Sequence, residues 1–474
     1  MSTQVSEVSG SQPSLRLRTI RAGFWTLGQH GFEATTRFIT NLILTRLLVP
    51  EAFGEVSAAL AVITGLGLIS DFGVQAVIIQ NARGDQDDFL RSAWVFLMWR
   101  GLLLWAVLCV ICLALTIPWV HDLLPSGSVF ASDLFPRLTA VLGLSLVVGE
   151  ARSTAVFVNA RQLNLGPIVT IDITCRIVSI VVVFAWALWA PSAWAIVASI
   201  IAGEVVRTVL SHVIVPGPRM AFRWERHHFQ EIMRFGKWVW VSTLGAFVST
   251  QSEVILLGIL LSSPMFGVYV IAKLLVDSGE LLLSRIESAL SLPVLSEIIR
   301  KRPSELRDQY YRLRLPIELA SACASGILFA SGGFIVGFLY DQRYAGAGLM
   351  VQIMAIRLAL YPCGIIQTAF VATGETRLGA GLSTFRAVSM IGCITGGFFL
   401  WGPLGTIAGL SGFRILSSGL VLFYANKRHW ISAWRELRIV PAFVAGAVVA
   451  KVVVGVMAGI GLSNIANIFQ MLRQ

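Results

Sequence analysis

Apolar residues gather in runs of roughly twenty, the length a helix needs to cross the hydrocarbon core of a bilayer. Such runs occupy about 22–47, 56–80, 93–118, 134–158, 167–190 and 193–215. A second set lies at about 236–261, 266–292, 315–340, 347–371, 379–401 and 404–425, and one more at about 439–461. Backbone groups in lipid have no water to bond, so each run predicts a helix. The pattern predicts an all-α polytopic membrane protein with about 13 (12–14) transmembrane helices.

The charged residues between the runs give the chain a direction. With the N-terminus in the cytoplasm, inside loops hold Arg83/Arg91, Arg152/Arg161, Arg219/Arg223/Arg226/Arg234, Arg377 and Lys427/Arg428/Arg435/Arg438. Arg16/Arg18/Arg21 precede the first run, and Arg300/Lys301/Arg302/Arg307/Arg312/Arg314 fill another inside loop. Outside loops carry little beyond Arg46, Arg137 and Arg343, which is the asymmetry of the positive-inside rule.

The longest inside connections, 216–235 and 293–314, are too short for a globular domain. The first separates two sets of six runs, and an even number brings both sets into the membrane in the same sense. That arrangement predicts two six-helix lobes in a parallel pseudo-repeat around a central cavity. The expected divisions are 1–21, a cytoplasmic N-terminal segment; 22–218, an N-lobe; and 219–235, a cytoplasmic linker. They continue with 236–428, a C-lobe, and 429–474, an extra transmembrane helix and tail. An echo supports the repeat: Pro50-Glu51-Ala52-Phe53-Gly54 follows the first run, and Pro264-Met265-Phe266-Gly267 follows the seventh.

Ionisable groups in a bilayer are costly and face a cavity or a partner. In the eighth run Lys273, Asp277, Glu280, Ser284 and Glu287 recur at helical spacing and fall within about 80° of arc. Lys273 and Asp277 form an i,i+4 pair, yet three acids and one base do not cancel. The first run has a companion stripe of Gln29, Glu33, Thr36 and Thr40, flanked by Arg37 and Asn41, in which Glu33 and Arg37 can pair. The seventh adds Ser242, Ser249 and Glu253 on one face. Helices one, seven and eight are therefore expected to line a cavity between the halves. Its cations suit an anionic ligand group. Its acids Glu33, Glu253, Asp277 and Glu280 suit a coupling H⁺ or Na⁺. Weaker candidates are Asp71, Arg100, Glu150, Asp172/Arg176, Glu204/Arg207, Glu318, Arg357, Arg386 and Arg414. Several of these sit near run ends, where snorkelling to the surface is the ordinary account.

Composition narrows the function. The chain is 56% hydrophobic and only 13% charged, about half the charge of a soluble protein. Its net charge of +11 is explained by inside loops, and no polar basic domain exists for nucleic acid. Cys109-x-x-Cys112 has redox spacing, but all the cysteines lie in apolar stretches with no His or further Cys beside the pair, so the segment reads as lipid-facing helix and no disulfide framework is implied. The N-terminal stretch lacks the apolar core and cleavage site of a signal peptide. No Walker A sequence, nucleophile elbow or His pair with metal spacing appears, so neither an enzyme nor a cofactor is expected.

Four segments resemble the polysaccharide transporter family, the Wzx-type flippases of the multidrug/oligosaccharidyl-lipid/polysaccharide (MOP) exporter superfamily. They are 45–54 (TRLLVPEAFG), 70–80 (SDFGVQAVIIQ), 266–269 (FGVY) leading to Ala272 and Pro293, and 372–377 (ATGETR). The resemblance implies two lobes that alternate between inward and outward openings around a cationic cavity, in the bacterial inner membrane. The implied substrate is an undecaprenyl-diphosphate-linked oligosaccharide, flipped to the periplasmic leaflet for exopolysaccharide, capsule or O-antigen/lipopolysaccharide biosynthesis. Membrane lipids, a polymerase and a chain-length regulator of the same pathway are the implied partners. Arg37 and Lys273 are then the best-placed cations for the diphosphate. Three alternatives remain open: a cation-coupled multidrug exporter of the same superfamily, a lipid II flippase, and a membrane glycosyltransferase or polymerase. An acid-rich cavity favours the exporter. The last would want a large outside loop, and the largest, about 118–133, is short.

Overall fold

The structure, a computed structural model, describes residues 15–301, 305–373 and 375–459. Residues 1–14 of the expected N-terminal segment, Arg302, Gly374 and the tail from 460 lie outside the described residues.

The described residues form helices joined by short connections, with one isolated antiparallel bridge among them, between Ser128 and Ser262. In order the helices are α1 (Leu15–Leu47), α2 (Pro50–Ile69), α3 (Val74–Gln80), α4 (Asp87–Leu115), α5 (Pro118–His121) and α6 (Leu134–Leu142). They continue as α7 (Leu144–Glu150), α8 (Ala155–Arg161), α9 (Gly166–Trp189), α10 (Ala193–Val213), α11 (Arg226–Leu260) and α12 (Ser263–Lys301). The last are α13 (Leu306–Leu339), α14 (Ala347–Ala359), α15 (Ile365–Ala372), α16 (Thr376–Lys427), α17 (Ala433–Glu436) and α18 (Ile439–Gly459). Among the described residues nine segments are long and apolar enough to cross a membrane, ten if the pair α6–α7 and α8, bent by 62°, counts as one span. α1 and α12, at 33 and 39 residues, are long enough but fall outside that set. They carry the two charged stripes.

Several runs expected as single helices are broken, each for a local reason. The run 56–80 stops at Ile69 and resumes at Val74. Between them Gly73 takes a left-handed φ of 63°, which a side chain resists, and its N–H donates to the Asp71 carboxylate at 2.8 Å. The run 347–371 is divided by a 3₁₀ turn at Tyr361–Gly364 that contains Pro362. α16 is two antiparallel arms joined at Trp401–Gly402, where helical geometry is lost. The arms close on each other because Gly397 and Gly405 present backbone to backbone, leaving no room for a Cβ at either position.

The described chain folds as two compact units. The first comprises the chain through Asn41, Leu66–Ile111 and Ala140–Leu244. Its core includes Val77, Ile78, Phe89, Leu90, Leu97, Phe157 and Ile232. The carbonyls that end α2 are satisfied here, Ile69 accepting from the Trp240 indole and Gly67 from Arg100, so the break exposes no unpaired acceptor.

The second unit comprises Leu42–Gly65, Cys112–Thr139 and the chain from Gly245. Its core joins α12, α13, α15 and α16 through Leu295, Tyr310, Ile366, Phe370 and Ala425. α18 lies along α13 at small-residue contacts. A Cβ on Gly326 would strike the Phe443 carbonyl and one on Gly446 the Cys323 carbonyl, the close approach that drives helix pairing in lipid. The two echoing turns meet in this unit: Gly54 packs on Gly267 and Ser263, and Gly267 faces the Pro50 carbonyl.

Candidate functional site

Charged side chains of the second unit converge where α11, α12 and α14 pack. Helical spacing on α12 brings Tyr269, Lys273, Asp277 and Glu280 to one face, as the stripe predicts. α11 adds Glu253, and α14 adds Arg357. Lys273 Nζ lies 3.1 Å from Glu253 Oε1 and 2.9 Å from Asp277 Oδ2. Arg357 reaches three carboxylates: Nη1 is 3.3 Å from Glu253 Oε1, Nε is 3.0 Å from Glu280 Oε1, and Nη2 pairs with Asp277. The Tyr269 hydroxyl donates to Glu253. Glu253 and Arg357 are buried, while the Asp277 side chain remains 40% exposed.

This arrangement accounts for the excess of acid on α12. The stripe of that helix has one base, Lys273, and α14 adds a second, Arg357, so that Glu253, Asp277 and Glu280 each meet a cation as burial requires. Arg357 stood only among the weaker candidates because a lone arginine in an apolar run looks like a snorkelling end. Its signal was its central position in the run 347–371. Tyr269 belongs to a family-like segment, but an uncharged side chain in an apolar run carries no signal that marks it as a site residue. Lys273 is held between two carboxylates, and so is not a free cation.

A cavity of about 300 Å³ adjoins the network, lined among others by Glu280, Glu287, Tyr361, Gln367, Arg386 and Arg414. Glu287 accepts from the Tyr361 hydroxyl, and the Arg414 guanidinium sits 5.9 Å over the Tyr361 ring. Arg386 is exposed and Arg414 half-buried.

Glu318, on α13 of the second unit, pairs with Arg314 at 3.3 Å; Glu33, Arg37 and most of the weaker candidates lie in the first unit. Glu33 Oε1 accepts from Gln29 Nε2 at 2.9 Å, and Gln29 also donates to Asp172 of α9 at 2.8 Å. Asp172 in turn faces Arg207 of α10 at 3.3 Å, and Arg207 pairs with Glu204 at 2.6 Å. Among the described ion pairs none joins Glu33 to Arg37; His30 is the basic neighbour of Glu33, at 3.8 Å. Arg37 is exposed, and Arg176 of α9 donates to Thr36 one residue away. Arg100 and Glu150, also weaker candidates, pair at 3.0 Å.

Two solved structures share this fold. An inward-facing multidrug resistance MATE family transporter of the MOP superfamily superposes with a TM-score of 0.64 at 14% identity, covering 83% of this chain and 94% of its own. The lipid II flippase MurJ, in an inward closed conformation, gives 0.62 at 12% identity over 96% of this chain and 100% of its own. The chain is thus a multi-pass membrane protein with the fold of the MOP transporters. The family described as Polysaccharide biosynthesis protein matches residues 43–369, more than half of the sequence, and the chain belongs to it. It is also similar to the lipopolysaccharide biosynthesis protein WzxC of Escherichia coli (strain K12), 20% identical over 430 residues, 89% of this chain and 84% of that protein. The resemblance drawn from its sequence segments holds.

Proposed function

We propose that the protein flips undecaprenyl-diphosphate-linked oligosaccharide units from the cytoplasmic to the periplasmic leaflet of the bacterial inner membrane, for exopolysaccharide, capsule or lipopolysaccharide assembly. The observation that carries this reading is a network of buried charge beside a cavity with basic side chains, inside a helical membrane fold of a polysaccharide biosynthesis family. Charge in lipid is retained where a polar ligand must pass. Arg37, exposed in the first unit, is the proposed cation there. Lys273 would reach a phosphate only if Glu253 and Asp277 released it, so its proposed role is conditional on that opening. The partly exposed Asp277 and Glu280 are the proposed coupling carboxylates for H⁺ or Na⁺.

Deletion of the gene tests the reading. The expected result is loss of surface polymer with accumulation of lipid-linked repeat units on the cytoplasmic side, restored by the intact gene. Normal polymer in the deletion strain would defeat it. The three carboxylates against two bases in the network favour the multidrug exporter as a second reading; unchanged polymer with increased sensitivity to cationic drugs would establish that instead. The proposed orientation, N-terminus inside, expects a cysteine at position 221 in the arginine-rich linker to resist periplasmic labelling.

A further inference from the structure

The cavity beside the network holds two positive charges that its own carboxylates leave unmatched. Arg386 and Arg414 stand on opposite arms of the α16 hairpin and both line the same cavity. Its two acids are engaged elsewhere: Glu280 with Arg357 at 3.0 Å, and Glu287 with the Tyr361 hydroxyl. Among the described ion pairs neither Arg386 nor Arg414 meets a carboxylate, and the neighbour of Arg414 is the face of the Tyr361 ring. Among the described side chains, the nearby bases Lys273 and Arg357 are held by Glu253, Asp277 and Glu280.

Two like charges facing one partly enclosed space repel, and an anion bearing two or more charges relieves that repulsion. Guanidinium forks match the oxygens of phosphoryl groups bidentately, which a lysine cannot reproduce. At about 300 Å³, the cavity is at the small end of ligand clefts, so it takes a compact charged head and leaves a long glycan or prenyl chain outside. We infer that Arg386 and Arg414 form the anion site of the second unit and bind the diphosphate of an amphiphilic ligand. This assignment rests on the flippase reading, and it gives the headgroup role in this unit to α16 rather than to Lys273. The same chemistry could come from inorganic pyrophosphate or from the paired phosphates of cardiolipin; the site is assigned to the lipid-linked diphosphate.

The test uses the full-length protein in nanodiscs of phosphatidylcholine, with undecaprenyl diphosphate binding followed by native mass spectrometry. Wild type is expected to bind, and R386Q/R414Q to bind at least about tenfold more weakly, a factor equal to about 1.4 kcal/mol. R386K/R414K, which keeps both charges, should fall between them. R386Q alone, at the exposed position, keeps the test decisive should the double variant misfold; it should also lose severalfold. Competition by pyrophosphate supports recognition of the diphosphate itself. Equal displacement by cardiolipin would overturn the assignment in favour of a structural lipid site. Glutamine variants that bind within twofold of wild type would overturn the role of the arginines while leaving the flippase reading intact. A wild-type protein that binds no lipid diphosphate would remove both.

Discussion

Arg357→Ala is the substitution that most directly tests how the second unit tolerates its charge. In the intact protein two bases, Lys273 and Arg357, face Glu253, Asp277 and Glu280. Removing Arg357 leaves three carboxylates against Lys273 alone. The contact with Glu253 is buried on both sides, with side chains 6% and 12% exposed, and breaking such a pair costs about 3–5 kcal/mol. Asp277 is 40% exposed, so its loss is screened and adds about 1 kcal/mol at most. The expected total, about 3–6 kcal/mol, corresponds to a midpoint lowered by roughly 6–12 °C at the scale of about 2 °C per kcal/mol for large chains.

Charge balance makes a sharper statement than the size alone. Glu253→Gln removes one acid and leaves two bases with two acids, so it should cost clearly less than Arg357→Ala although it breaks the same contact. Combining the two should cost less than their sum, with a coupling of about 0.5–3 kcal/mol. Thermal unfolding of the purified protein in detergent, read as a ranking of midpoints because membrane proteins refold poorly, checks all three variants. Equal midpoints for Glu253→Gln and Arg357→Ala, or strict additivity, would refute the balance argument.

Asp277→Asn and Glu280→Gln mimic the protonated carboxyls; if these groups couple transport, each yields folded protein whose flipping in proteoliposomes no longer responds to ΔpH, and an unchanged response would exclude them. Gly446→Leu forces a side chain against the Cys323 carbonyl and should cost about 1–3 kcal/mol or more by overpacking. Gly455→Ala, in open space on the same helix, should be neutral or slightly stabilising, and equal midpoints for the two would contradict the α13–α18 contact. Outside the apolar spans, burial pushes the Glu231 carboxyl up, but the Asn81 amide and the Arg83 guanidinium outweigh it and hold it below the ordinary carboxylate range. A lowered folded-state value stabilises above the ordinary pKa, about 4.3, and the effect fades as pH falls through the folded value. Glu231→Gln should therefore lower the midpoint slightly at pH 7, by no more than about 1 kcal/mol for a pair this exposed, and the difference should shrink toward pH 3.

What the sequence disclosed and what it withheld follow from the range over which each constraint acts. The stripe on α12 was legible because helical periodicity is local: Lys273, Asp277 and Glu280 must share a face wherever the helix packs. The breaks at Gly73 and at Trp401–Gly402 are local too, but they turn on backbone angles that hydropathy does not sense. The partners were not legible. Arg357 meets Glu253 across 104 residues of sequence, and Gln29 meets Asp172 across 143. Glu33 and Arg37 have the spacing of a pair, yet Glu33 bonds Gln29 instead, since spacing permits a contact without deciding it. The same logic explains why α1 and α12 are too polar to be counted among the apolar spans. A charged helix is compatible with lipid only where another element supplies its counter-charge. For α12 that element is α14, whose lone arginine pairs with Asp277 and Glu280 of that helix as well as with Glu253 of α11.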